Sequence, residues 1–503
     1  MKSKKNMNRR EFIRTTASAA AFTIVPGHVL GGMKHVAPSD KLNVANIGCG
    51  TQGLREMSGL LTNPDVQVTT VCDPNKFTTN YVDWSRYGLR NTIRETMGDS
   101  NWGENLNGIP GGRDVGKEMV EKYYARKTSS GNYKGCTSYA DFRELLEKEK
   151  DIDVVKVMTP DHLHASVSVA AMKKNRHVVM HKPIANRMHE ARVTLNTTRE
   201  TGVNTHFLAW SQRSGLETAL DWIRNGAIGK LQEIHNWSNR PVWPQWMSKP
   251  DESPEVPEGF DWDLWLGPVP HRPYHPNYTH AVFRGWYDFG AGSIADMGHY
   301  SLWPLFMAFG IDIPPKSAEA YGTTTCTIDN HVSRKLHNDV SFPYSCIIRF
   351  SFPGQKELPA FKLFWYDGGM KPPTPDELDE EDKELPAEGM MFVGDKGKIL
   401  ASFHGDSPRI IPERRMKEFT GSAKPPEDKV VRNERVWIDA FKKGEPSPGH
   451  FSKTGPVTET ILLGAVALRA GKKVKYDSNQ MKITNDKEAN QYLYREYRKG
   501  WEM

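Results

Sequence analysis

Cysteine is scarce in this sequence: five residues in 503. Cys49, Cys72, Cys136, Cys326 and Cys346 form no CxxC pair and are odd in number, which argues against a disulfide framework and a zinc knuckle. His162, His164 and His181 are dispersed over strand ends and turns, without the acid–His–Cys spacing of a zinc site, so no metal is expected. Charge of one sign is also lacking. Lys and Arg exceed Asp and Glu by only six, part of that excess lies in the N-terminal tail, and no basic stripe is present. This excludes nucleic acid as a partner. The N-terminal apolar run, Ala17 to Val25, is too short and weak to span a bilayer, so stable membrane insertion is not expected. No internal repeat is visible. What is left has the composition of a soluble globular protein, 38% hydrophobic, and a length suited to two domains.

The N-terminal segment, residues 1–36, reads as an address. Arg9 and Arg10 form a twin pair, followed by Phe12, Ile13 and the small apolar run. The pattern resembles a twin-arginine export signal, which implies recognition by that export machinery and a periplasmic or extracellular destination. That route moves folded proteins and suits an enzyme that folds around a cofactor before leaving the cytoplasm.

Residues 41–210 carry the signature of a doubly wound α/β domain. Leu42 to Ile47 is strand-like and leads into Gly48-Cys49-Gly50-Thr51-Gln52-Gly53, a G-x-G-x-x-G turn before a helix-compatible stretch. Gly48 permits the tight turn, Gly50 lets a pyrophosphate approach the backbone, and Gly53 lets helix and strand pack closely. Thr51 and Gln52 open the helix, whose N-terminus faces the anion. A second strand, Val66 to Cys72, ends at Asp73, twenty residues after Gly53. An acid there suits ribose hydroxyls and favours NAD over NADP, whose 2′-phosphate it would repel. The alternation continues. Ser138 reads as a helix cap with Asp141 three residues on. Strands are expected at Asp153–Met158, Arg176–Met180 and Val203–Ala209. Thr159, Pro160, His162, His164, His181 and Lys182 then cluster beyond strand carboxyl ends, where such sheets bind ligands. The stretch 83–112, rich in Gly, Asn and charge, reads as a surface excursion near the cofactor side.

From residue 211 to 503 the character changes. Helix-like and strand-like runs mix, without the βαβ alternation, around a mostly antiparallel sheet; this half reads as an α+β domain. Leu231, Glu233, His235 and Trp237 alternate onto one face, whose mixed character suggests a wet cleft. The stretch 371–388 reads as an acidic, solvated loop.

With these motifs in hand, the chain resembles the glucose-fructose oxidoreductase, inositol dehydrogenase and MocA family over nearly everything from Lys41 onward. The resemblance rests on the glycine loop, Thr159-Pro160 with His164, Lys182-Pro183 and the Gly290-to-His299 segment. It is closest to long, secreted bacterial members, on stretches such as Asn239 to Gln245 and Arg284 to Phe289. It implies an N-terminal Rossmann domain and a C-terminal α+β domain with an open sheet, often used for homo-oligomers. Lys182 matches the lysine of the family's Glu-Lys-Pro motif, which sits beside the nicotinamide and can polarise a hydroxyl and relay its proton. His181 replaces the family's glutamate. Asp296 matches the Asp of the family's second motif. The histidine expected four residues later is Tyr300, while His299 stands one residue early. Three and four residues both return near one helix face. His299 could therefore carry the proton, favoured by its near-neutral titration, or Tyr300 could, given a cationic neighbour such as Lys182.

The substrate class rests on Trp237, Trp243, Trp246, Trp262, Trp265 and Trp286, which fall within fifty residues and interleave with Arg240, Arg284 and Tyr287. Aromatic plates among hydrogen-bonding groups suit a carbohydrate; they also suit a pinned loop or a subunit interface. The expected activity is oxidation of a sugar, polyol or glycoside hydroxyl with tightly held, recycled NAD. A redox-cycling glycosidase or lyase and a non-catalytic sugar-binding protein remain the alternatives, because fold does not settle function.

Overall fold

The computed structural model describes residues 38–379 and 381–503; the expected export segment lies outside them. Pro38–Asp40 is a single 3₁₀ turn.

From Leu42 on, short apolar runs become buried parallel strands. β1 (Leu42–Ile47), β2 (Val66–Cys72), β3 (Thr137–Tyr139), β4 (Val154–Val157), β5 (His177–Met180) and β6 (Thr205–Phe207) pair in the order β3-β2-β1-β4-β5-β6. Every neighbouring pair is parallel. Such a sheet must be covered on both faces, which is why β4 is buried at all four positions. The cover comes from α1 (Thr51–Thr62), α2 (Gly88–Met97), α3 (Arg113–Ala125), α4 (Phe142–Lys148), α5 (His164–Lys173) and α6 (Met188–Thr201). The order reverses between β1 and β4, and a cleft opens there beyond their carboxyl ends.

Two expectations change locally. Ser138 lies within β3, and the cap of α4 is Asp141, whose side chain accepts from the Arg143 amide. The stretch 83–112 is not only a surface excursion. It contains α2, whose Leu89, Ile93 and Met97 are buried against α1 and β2. Their spacing of four residues puts all three on one face, a pattern masked by the surrounding charge.

The second sheet is built from β7 (Leu231–Trp237), β8 (Ser317–Gly322), β11 (Cys346–Phe352), β12 (Phe361–Tyr366), β13 (Gly389–Gly394), β14 (Lys398–Ala401), β15 (Arg409–Ile411), β16 (Val474–Asp477) and β17 (Lys482–Ile483), while β9 (Cys326–Asp329) and β10 (Val332–Lys335) form a separate exposed hairpin. Its order is β15-β14-β13-β7-β12-β11-β8-β16-β17, antiparallel except where β12 runs parallel to β7. One face packs on helices. Ile234 and Phe350 join a core shared with Val155, Met180, Leu216 and Ile461, which welds the two sheets' layers together. The other face carries Glu233, His235 and Trp237. It is not a wall of the cleft: His235 stacks on Phe364 with ring centroids 4.7 Å apart, and Trp237 packs with Leu378 and Leu385. Those two leucines come from the acidic 371–388 stretch, which is thereby partly a cover for the sheet and not only solvated surface.

The chain also crosses its expected domain border. The helix α10 (Arg435–Lys443), far into the second half, returns to the first sheet, where Trp437, Ile438 and Phe441 complete the core of β1, α1 and β2. Beside it, fully buried Lys156 of β4 is held by Glu56 at 3.1 Å and Glu434 at 2.9 Å. A charge so buried is tolerated only with such partners.

Candidate functional site

The turn after β1 has the geometry its glycines require. Gly48 sits at φ +102°, and a Cβ there would stand 2.5 Å from the Met158 carbonyl group; one on Gly53 would stand 2.1 Å from the Gly48 oxygen. Gly50 precedes α1 as its N-cap, so the free amides of that helix face the cleft. At the end of β2, Asp73 accepts hydrogen bonds from the Cys49 amide at 2.7 Å and the Asn75 amide at 2.8 Å. It thus locks the loop as well as presenting a carboxylate. Burial pushes its acidity to about 6, against the pull of those two amides. Thr159 lines the same cleft, and its hydroxyl is buried with no partner. A glycine cradle, a helix N-terminus, an acid after β2 and an unmatched hydroxyl together fit a dinucleotide such as NAD.

The cleft is lined by Gly48, Gly50, Thr51, Gln52, Gly53 and Asp73 on the sheet side. Thr159, Pro160, His181, Lys182, Arg240, Arg284, Asp296 and Tyr300 line it as well. Lys182, at the end of β5, pairs directly with Asp296, whose same oxygen lies 3.2 Å from Nε of Arg284. All three are largely withdrawn from solvent. Burial alone would raise the acidity constant of Asp296; Lys182 and Arg284 outweigh it and hold the carboxylate down at about 2. For Lys182, burial pulls the ammonium below its ordinary range, and Asp296 offsets part of that. Asp161, in the turn after β4, is pushed up to about 7 by burial, despite Arg284 and Lys182. It is the group the sequence reading passed over, although it stands inside the run Thr159–His164. Its signal is a carboxylate at a strand end that the fold buries beside two cations.

The winding around Asp296 places His299 and Tyr300 differently. Ile294–Gly298 is a π turn, followed by the α-helix α9 (His299–Phe309). The wider i→i+5 winding delays the return to the starting face, so Tyr300 shares the cleft face with Asp296 and His299 does not. His299 is instead fully buried. Its Nδ1 lies 3.1 Å from the Ala295 oxygen, its Nε2 has no partner, and its ring abuts Phe207. Burial lowers it to about 3, a neutral core histidine, with Lys182 acting in the same direction. Tyr300 meets His181, hydroxyl to Nε2, at 2.8 Å. The Lys182 ammonium stands 5.3 Å from its ring centroid, yet burial raises the phenol above its ordinary range, opposite to the lowering that a tyrosinate role requires. His181 is held well below its ordinary value by burial and then by Lys182. Tyr300 therefore keeps its proton beside a neutral imidazole.

Other expected site residues are placed elsewhere. His162 hydrogen-bonds the Trp265 carbonyl at 2.8 Å and packs on Phe289, outside the cleft. His164 braces it from behind, its Nδ1 against the Pro183 carbonyl and its Nε2 2.9 Å from the Thr159 carbonyl, with one N–H to donate between them. Trp286 belongs to a separate aromatic core with Trp262, Trp265, Tyr278 and Phe289, and its indole N–H donates to the Asn277 carbonyl at 2.7 Å. Tyr287 packs on Phe342, with the Arg469 guanidinium 4.7 Å from its ring. Trp243 is buried behind Arg284, 5.9 Å from ring centroid to guanidinium. The tryptophan-rich stretch thus mainly pins a long irregular segment, while Arg240 and Arg284 reach the cleft. Tyr81, Trp84 and His280 also line it, with no motif to announce them.

Comparison with known proteins agrees with this architecture. Residues 117–207 match the family model described as "Oxidoreductase family, NAD-binding Rossmann fold", and residues 225–320 match "Oxidoreductase family, C-terminal alpha/beta domain". Among curated proteins, levoglucosan dehydrogenase of Pseudarthrobacter phenanthrenivorans is 30% identical over 21% of this chain and 29% of its own length. The 1,5-anhydro-D-fructose reductase of Ensifer adhaerens is 35% identical over 24% and 37%. A glycosyl hydrolase family 109 protein of Stenotrophomonas maltophilia is 26% identical over 45% and 41%. Each match spans less than half of the relative. Among solved structures, the WlbA dehydrogenase of Bordetella pertussis, in complex with NADH and UDP-GlcNAcA, aligns over 87% of this chain and 99% of that one, with 14% identity and a TM-score of 0.48. Two stretches of the chain thus match models of one oxidoreductase family, Gfo/Idh/MocA: an NAD-binding Rossmann fold followed by a C-terminal alpha/beta domain.

Proposed function

We propose that this protein oxidises a hydroxyl of a sugar, polyol or glycoside, using NAD that stays bound between turnovers. The observation that carries the reading is the buried Lys182–Asp296–Arg284 cluster, set in the same cleft as the glycine loop. NAD, when bound, supplies the hydride acceptor. Asp296 and Arg284 fix the Lys182 amine at the cleft wall, where it can hold the substrate oxygen. Because burial disfavours its charged form, Lys182 exchanges a proton more readily than a surface lysine. Tyr300 and His181 form a protonated donor and a neutral acceptor beside it. Arg240 supplies a further hydrogen-bonding group for a polyhydroxylated substrate. The names of the partial relatives, a levoglucosan dehydrogenase and an anhydrofructose reductase, support a cyclic carbohydrate. Export through the twin-arginine route belongs to the same proposal, since a resident cofactor needs no free nicotinamide pool.

A second reading, transient oxidation that leads to glycosidic cleavage, is favoured by the match to the family 109 glycosyl hydrolase, which runs along more of this chain than the other two. One experiment separates them. Folded protein is mixed with levoglucosan, 1,5-anhydrosugars and aryl glycosides while NADH absorbance and sugar products are followed. A lasting rise in NADH supports net oxidation; cleavage without accumulated NADH supports the cycling reaction. Neither signal with any probe, in protein that contains NAD, overturns both.

A further inference from the structure

The segment that follows Asp73 does not leave the cofactor cleft open, as a simple doubly wound domain would. It crosses the cleft and is tied to the second half of the chain. The Asp261 amide donates to the Pro74 carbonyl at 3.0 Å, and the Lys76 amide donates to the Gly259 carbonyl at 2.8 Å, with a bridge between Asn75 and Phe260. Farther along, Thr78 pairs with Gly111, and Asn80 with Ile109. Tyr81 then lies over the glycine loop: a Cβ on Gly50 would come within 3.1 Å of its ring, and one on Gly111 within 2.5 Å. The outer side of that ring packs on His280 of the second half, with centroids 4.1 Å apart. Asp83, its side chain buried, pairs with Arg55 of α1, and Arg240 lies 5.5 Å from the Trp84 ring. Strand end, glycine loop, first helix and second domain are thus all laced to one eleven-residue span, 74–84.

We infer that residues 74–84 are a clasp that retains the dinucleotide, with Tyr81 against the glycine loop and the Asp83–Arg55 pair as its latch. This rests on the cleft being an NAD site. A dinucleotide held in the cleft beneath this span leaves only after Tyr81 lifts off His280 and the latch parts, so release is tied to opening of the span. The clasp gives the resident cofactor of the proposed reaction a structural cause. It also assigns cofactor-holding roles to Tyr81, Asp83 and Arg55.

The test uses the full chain and NAD itself. Protein is saturated with NAD, passed through gel filtration, and assayed for bound nucleotide by acid release and mass spectrometry over time. The native chain is expected to keep close to one NAD per chain. Tyr81→Ala and the conservative Asp83→Asn are expected to lose it about tenfold faster, the size of effect of one charge-assisted contact. Limited trypsinolysis at Lys76 and Arg86, slowed by NAD in the native chain, serves as a second readout should a variant fold poorly. A native chain that binds NAD but empties as fast as the variants overturns the clasp and leaves the NAD site intact. A native chain that binds no NAD overturns the site reading beneath it.

Discussion

At the scale of single residues, Lys182 and Arg284 stand beside two acids of the cleft, Asp296 and Asp161, and these two acids differ sharply. Asp296 stays ionised, held at about 2 by Lys182 and Arg284 against its burial, whereas Asp161 titrates at about 7. Oxidation of a hydroxyl releases a proton. The rate of the proposed oxidation should therefore rise as pH climbs through about 7 and Asp161 ionises, and Asp161→Asn should flatten that limb of the kcat/KM profile. The same shift bears on stability. A carboxyl raised in the folded state binds its proton more tightly there than in the unfolded chain, so its ionisation destabilises the fold as pH rises through about 7. Asp161→Asn should reduce that dependence, leaving the share of Asp73, which burial pushes up to about 6, as read from urea unfolding across the same pH range. A paired prediction concerns the proton carrier. Lys182→Met should lower kcat by about 10²–10⁴-fold, the usual worth of a positioned acid–base group. His299→Gln should leave the pH profile unchanged, because His299 faces the core. If His299→Gln alone removed the pH dependence, the placement of His299 would be wrong. Lys182 and Asp296 were legible in the sequence through their motifs. His299 and Tyr300 were both in view, but spacing could not choose between them, because spacing arguments assume α-helical winding and the π turn at Ile294–Gly298 departs from it. Asp161 was in view as a letter, but its importance comes from burial beside charges that are distant in sequence.

At the scale of elements, what repeats locally was readable and what returns from afar was not. The strands β1, β2, β4 and β5 follow from short apolar runs between turn signals, and the cleft follows from their alternation with helices. The sequence 435–443 has the apolar spacing of an amphipathic helix, yet nothing in it says that its apolar face closes the first sheet more than two hundred residues upstream. Similarly, the tryptophans of residues 237–286 have a composition that suits either a sugar platform or a small core. Packing shows Trp246, Trp262, Trp265 and Trp286 gathered around Phe289 and Tyr278 in a small core, from which Trp265 also lines the cleft. A direct consequence is that Trp437→Ala should destabilise the Rossmann half. It empties a fully buried site between β1 and α1, and aromatic-to-alanine changes of this kind cost about 3–5 kcal/mol. Denaturant unfolding checks it. A loss within about 0.5 kcal/mol, the range of surface substitutions, would mean that α10 is only docked on the surface.

At the scale of the whole molecule, the central claim is that the cleft at the switch point between β1 and β4 holds NAD and brings it to the Lys182–Asp296 cluster. The parallel order of the first sheet and the glycine geometry support it, and residues 117–207 match the model of an NAD-binding Rossmann fold. The most direct measurement is NAD bound per chain after equilibrium dialysis, in the native protein and in Gly48→Val. Valine cannot occupy φ +102° without strain, and its Cβ would collide with the Met158 carbonyl group. The account predicts close to one NAD per native chain and little or none in a folded Gly48→Val. A native chain that binds no NAD, or a folded variant that binds it as well as the native chain does, would contradict it.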